Sequence, residues 1–120
     1  MQNKPPRAIK TDEIETFHLD GVVLLKQMFT ADWVDVLTKG LAKNSELPTT
    51  RARVWYRDEA GRSMFWDSQA WQSIDEYQKF IYQSPAASIA GQLLKARRIN
   101  FFFDAVFVRS PGTQFTTPWH

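Results

Sequence analysis

A chain of 120 residues suits a single domain, and its 43% apolar and 14% aromatic content makes it a globular chain with a core to bury rather than a disordered one. Its 15 basic and 13 acidic residues leave a net charge of only +2, which argues against a nucleic-acid partner. The absence of cysteine excludes disulfides, thiolate metal sites and cysteine nucleophiles, and no apolar run reaches the roughly 18 residues of a membrane span.

Residues 1–10 (MQNKPPRAIK) are polar, carry paired prolines and have no apolar signal core, so a flexible N-terminal arm and a cytoplasmic location are expected. The domain proper is expected over residues 11–120. Thr11 is placed to cap a short helix with Asp12, Glu13 and Glu15 at its positive end, and Asp20-Gly21 to end it. The β-branched run at Val22–Met28 predicts a buried strand. Thr30 then reads as an N-cap, and Trp33, Val34, Leu37 and Leu41 predict a helix from about Ala31 to Lys43.

Arg51–Tyr56 and Arg62–Trp66, separated by the turn Asp58–Gly61, predict a hairpin or an irregular flap. Asp67 or Ser68 is expected to open a second helical region. Ser73 and Glu76 have capping-box spacing, which predicts a helix start at Ser73. Ser84-Pro85 predicts a further start, with Ala86, Ile89, Ala90, Leu93 and Leu94 as its buried stripe and Lys95, Arg97 and Arg98 at its negative pole. From Ile99 to Val108 both alternating sets of residues are largely apolar, which predicts a strand covered on both faces. Pro111-Gly112 turns the chain after it.

Few residues suggest chemistry by type alone. His18 has no ligand partner at close spacing and reads as a surface or structural residue. Asp104 lies in an apolar strand, where its carboxylate needs a partner: Arg109, Arg62, a bound ligand, or the backbone of a neighbouring turn. Arg51, Arg53 and Arg57 interleave with Trp55 and Tyr56, a pattern shared by anion pockets and by strands with one wet face.

Two stretches carry a family likeness. Phe17-x-x-Asp20-Gly21-Val22-Val23-Leu24 followed by Phe29-Thr30-x-x-Trp33-Val34 resembles the opening of the phytanoyl-CoA dioxygenase family. More specifically, Phe102-Phe103-Asp104-x-x-Phe107-Val108-Arg109-x-Pro111-Gly112-Thr113 and then Thr116-Thr117-Pro118-Trp119-His120 is similar to the stretch leading into that family's first metal ligand, although the family typically has Lys where this chain has Arg109.

The resemblance implies an α+β chain with N-terminal helical support and the first strands of a double-stranded β-helix, a cupin-like jelly roll left incomplete within these 120 residues. It implies an oxidoreductase that uses Fe(II) and 2-oxoglutarate to hydroxylate a small organic or acyl substrate with O₂, the metal being held by two His and one carboxylate. On this match His120 is the first metal ligand. Thr117, Trp119 and Arg109 would serve cofactor binding, and Phe103, Asp104, Arg62 and Trp66 would line the substrate pocket. The Arg62–Trp71 segment would form wall and lid. The carboxylate ligand is expected two residues beyond His120, so the 120-residue chain by itself is expected to be an inactive fragment. Uncovered strand edges would make it prone to self-association. The competing expectation is a non-catalytic α/β interaction or dimerisation module derived from the same fold.

Overall fold

In the computed structural model, which describes residues 2–118, the chain is α+β, with four helices and a three-stranded antiparallel sheet. The helices are α1 (Thr11–Asp20), α2 (Ala31–Glu46), α3 (Asp75–Gln83) and α4 (Ala86–Leu94). The strands are β1 (Arg53–Arg57), β2 (Ser63–Ser68) and β3 (Ala105–Arg109), ordered β1-β2-β3 with β2 central.

Helix α1 begins where Lys10, not Thr11, occupies the cap. Glu13 reaches back to accept the Lys10 N–H at 2.8 Å, while Thr11 lies inside the first turn and does not act as the cap. The Arg7 guanidinium grips the same carboxylate with two bonds of 2.7 and 2.8 Å, and this contact holds Glu13 down at about 2. Arg7 also donates to the Lys26 carbonyl, and Trp33 Nε1 donates to the Gln2 carbonyl at 2.9 Å, so part of the segment expected as an arm lies against the helices. Gly21, at φ +75°, ends α1 as its sequence predicts: its N–H bonds the Phe17 carbonyl.

Residues 22–28 are a correction to the expected strand. Val23 and Leu25 turn inward while Val22 and Leu24 are bare, so the alternation of a strand is present without a ladder. The segment pairs with neither free edge of the sheet. Leu25 and Met28 instead pack with Ile9, Ile14, Ile89 and Leu93, one of two small cores.

The second core joins sheet to helices: Ala70, Ile74 and Tyr77, with Leu37, Trp71 and Val106 against them. Here α2 and α3 approach closely at Gly40, where an added Cβ would lie 2.8 Å from Tyr77 Cε1. The second helical region opens later than its sequence suggests. Asp67 and Ser68 belong to β2, a 3-10 turn spans Ala70–Gln72, and α3 starts at Asp75 with Ile74 as cap. The capping box fails because both members are engaged elsewhere. The Ser73 hydroxyl bonds back to the Ala70 carbonyl and Glu76 pairs with Lys43.

The hairpin β1-β2 forms with its turn at Asp58–Gly61, where Gly61 takes φ +76° and Asp58 accepts from the Arg62 backbone and guanidinium. Residues 63–68 of the Arg62–Trp71 segment, expected as wall and lid, form the central strand, bonded to β1 on one side and β3 on the other. The long strand expected over residues 99–108 shortens to Ala105–Arg109, since its ladder partner β2 ends at Ser68 and Gln69 turns away at φ +52°. It is not covered on both faces either: Phe102 is 89% exposed and Phe107 63%.

The molecule is expanded for its size. Its radius of gyration is 16.4 Å, against about 13.6 Å for a compact chain of this length. Its accessible surface is 8882 Å², against about 6,700 Å² expected for a folded monomer of 14.0 kDa.

Candidate functional site

Side chains alternate across a strand, so β3 divides the residues singled out from sequence between two faces. Val106 points to the helices and Phe107 to the opposite face, where it pairs across the ladder with Trp66. Arg109 sits two residues on, opposite Met64. A bulge between Val54 and Tyr56 lets β1 add two more rings to this region, with Trp55 6.2 Å from Trp66. The result is an aromatic sheet face with no helix on it. Among the described residues one end is covered, by Phe115, which stacks on Tyr56 at 5.3 Å.

That covered end is where the tail is tied down. Ser110 and Ser63 exchange backbone and hydroxyl bonds, the Gly112 turn rests on the Arg62 guanidinium, and Arg109 donates to Thr117 Oγ1 at 2.8 Å and lies 3.8 Å from Met64 Sδ. Gly112 has φ +77°, a left-handed conformation that favours glycine in this turn. Arg62, Arg109 and Thr117 thus gather at one end of the sheet, with Trp66 further along the same face. Trp119 and His120 lie outside the described residues.

Asp104 and Phe103 fall elsewhere. Asp104 precedes β3 at its opposite end, roughly 17 Å of strand away from Arg109, so neither Arg109 nor Arg62 is its partner. It caps the 3-10 turn instead, accepting the Trp71 N–H at 3.3 Å through Oδ2, while Oδ1 is buried with no partner. Burial pushes this carboxyl above the usual carboxylate range. Phe103 is half exposed and makes an edge-to-face contact with Phe102.

A buried carboxylate that sequence reading passed over lies under the sheet. Asp67 is fully buried and accepts four hydrogen bonds: from Asn44 Nδ2, the Thr49 N–H, Thr49 Oγ1 and the Ser68 N–H, at 2.5–2.8 Å. Desolvation by itself would raise its pKa, but these bonds hold it below the ordinary value. Asn44 in turn accepts from the Tyr77 hydroxyl at 3.4 Å, and burial together with the two nearby carboxylates Asp104 and Asp67 lifts that phenol to about 12. This network joins α2, the loop after it, β2 and α3. The signal for it was an Asp in an apolar strand, the same signal that singled out Asp104.

Among the described residues no three His, Cys, Asp or Glu side chains stand together as a metal site. His18, the histidine among them, is exposed on α1 and makes an edge-to-face contact with Phe17. No helix among the described residues is long and apolar enough to cross a membrane. No family model matches the chain, and no curated protein or solved structure matches it.

Proposed function

We propose that this chain is the N-terminal part of a non-haem Fe(II)/2-oxoglutarate-dependent dioxygenase of the double-stranded β-helix type, which hydroxylates a small organic or acyl substrate. The reading starts from the likeness of residues 102–120 to the approach to that family's first metal ligand. One observation supports it best: the sheet carries helices on one face and uncovered rings on the other. An antiparallel sheet can leave one face in water, but that face is then polar; a face lined by bare rings calls for a further layer, and a jelly roll covers it with a second sheet. The roughly 2,200 Å² of surface beyond that of a compact monomer is in keeping with a missing layer.

In this reading Trp66, Trp55 and Phe107 wall the substrate cleft and keep water from it. Arg62 braces the Gly112 turn, and Arg109 orients Thr117 on the way to His120, the metal-ligand position. Because the described residues do not complete a metal site, no step through iron is derived from them. A cytoplasmic location belongs to the same proposal, supported by the lack of cysteine.

The test is the reading frame beyond the His120 codon, followed by a succinate assay of the whole product with Fe(II) and 2-oxoglutarate. Any residue and then Asp, with a later His and Arg, together with succinate release, is the expected result. A stop codon directly after His120, or succinate release by the 120-residue chain alone, would overturn the reading.

A further inference from the structure

A hollow of about 450 Å³ lies between α3, α4 and residues 99–102, and it shares no residue with the aromatic sheet face. Its floor is made of small residues, Ala86, Ala87 and Ala90 on α4, and its walls of large ones. Those walls are fixed from behind. Phe80 packs on Phe29 and Trp33, at 5.3 and 5.9 Å between ring centres. Tyr82 and Phe101 both meet the Trp71 ring edge to face. The rings that could fold in and fill the hollow are thus held upright.

We propose that this hollow binds a neutral small molecule, mostly hydrocarbon and with one polar group, of which a medium-chain alcohol is the simplest example. Its volume lies within the roughly 300–1,000 Å³ of small-molecule pockets, which are usually pre-formed and apolar with few polar groups. Ten residues line it, against about 20–30 a side for a protein partner, so its scale is that of a small molecule. None of the ten is charged. A carboxylate or phosphate would therefore enter without a counter-charge, at a cost that a neutral group avoids. The one side-chain amide among the ten, Asn100, has no hydrogen-bond partner among the described residues, and it is placed to take the ligand's polar group. Phe102, 89% exposed at the rim, gains cover from a hydrocarbon chain lying against it. The inference does not depend on the oxygenase reading, since it uses neither the sheet face nor His120.

Titration of the 120-residue chain with Nile red, a neutral dye that brightens in apolar surroundings, tests it, with decanol and decanoate as competitors. Saturable uptake is expected, and decanol is expected to displace the dye at least about tenfold more tightly than decanoate at pH 7. Ala90→Trp fills the floor, and Ala87→Leu does so more gently from an exposed helix position. Each is expected to weaken dye binding by about tenfold or more. Asn100→Ala is expected to weaken decanol by about 2–10-fold, the range of one hydrogen bond. Trp55→Asp, on the sheet face, is expected to leave the uptake unchanged. Circular dichroism and urea midpoints confirm that each variant is folded.

Uptake undiminished in Ala87→Leu and Ala90→Trp would overturn the proposal, because the dye would then be sitting elsewhere. So would an equal loss in Trp55→Asp, decanoate competing as well as decanol, decanol without effect up to its solubility limit, or an Asn100→Ala chain that binds decanol like wild type. Uptake that falls as the protein concentration rises, with a dimer appearing in sedimentation equilibrium, would give the hollow to a second copy and likewise overturn it.

Discussion

Replacing Asp67 by Ala should be among the most damaging single changes in this chain. The carboxylate is fully buried, and its removal strands three donors that point at it: Asn44 Nδ2, the Thr49 N–H and the Ser68 N–H. The Thr49 hydroxyl can rotate to another acceptor, but an amide N–H fixed in a strand or loop cannot. A buried donor left without an acceptor costs about 1–3 kcal/mol, and breaking a buried charged network about 3–5 kcal/mol in total. A loss of about 3–5 kcal/mol is therefore expected, a large share of the roughly 5–15 kcal/mol that stabilises an ordinary domain. Asp67→Asn keeps one acceptor oxygen but turns an NH₂ group toward a backbone donor, so about 2–3 kcal/mol is expected.

The five tryptophans make urea unfolding followed by fluorescence the natural assay. Its pH dependence supplies a second check. The folded pKa of Asp67 is depressed, so its stabilisation is complete above the unfolded carboxylate value near ~3.9 and drains away as pH falls through the lower folded value. The Asn variant should lack that part of the acid limb, and its deficit relative to wild type should shrink below about pH 4. An Asp67→Ala cost under about 1 kcal/mol, or a deficit that does not change with acid, would refute the network as a keystone.

Gly40→Ala should destabilise by about 1 kcal/mol or more despite alanine's better helix propensity, because the new methyl meets the Tyr77 ring and Glu76 Cβ across the α2–α3 contact; a higher melting temperature would contradict this. Asp104→Asn should be more stable than wild type at pH 7. The folded pKa of Asp104 is raised, so its favourable contribution is present below the unfolded value and lost as pH rises through the folded one; urea midpoints should differ at pH 7 and converge near pH 3. Arg109→Gln should cost no more than about 1 kcal/mol, yet it should speed amide exchange in residues 113–117 by releasing Thr117. Unchanged exchange there would mean the tail is held by the Phe115–Tyr56 stack instead.

Local chemistry was legible wherever a few neighbouring residues decide the outcome. The α1 stop at Gly21, the start of α2 after Thr30, the Asp58–Gly61 hairpin turn and the helix after Ser84-Pro85 all follow from backbone preferences that act over three or four residues. The division of β3 was legible too, since the parity that sets Asp104 with Val106 and Phe107 with Arg109 is a property of any strand. Recognition of a likeness to an oxygenase family came from residue identities alone, and it rests there.

Tertiary structure decided what depends on a partner distant in sequence. Val22–Met28 has the composition of a strand, but a strand exists only where it pairs with another, and this segment packs into the first core instead of onto either free edge of the sheet. Phe101–Phe103 stays outside the ladder because β2 ends at Ser68. Ser73 and Glu76 have the spacing of a cap, but the Ala70 carbonyl and Lys43 compete for them. Asp104 looks like a costly carboxylate from its sequence, whereas Asp67 reads as the opening of a helix. Only the fold could give Asp104 its backbone donor and Asp67 three of its four hydrogen bonds, because those donors come from the 3-10 turn, from α2 and from the loop after it, 18–33 residues away in the chain; the fourth, the Ser68 N–H, is local. A polar group's fate is set by what surrounds it once the chain has closed, and sequence spacing carries no record of that.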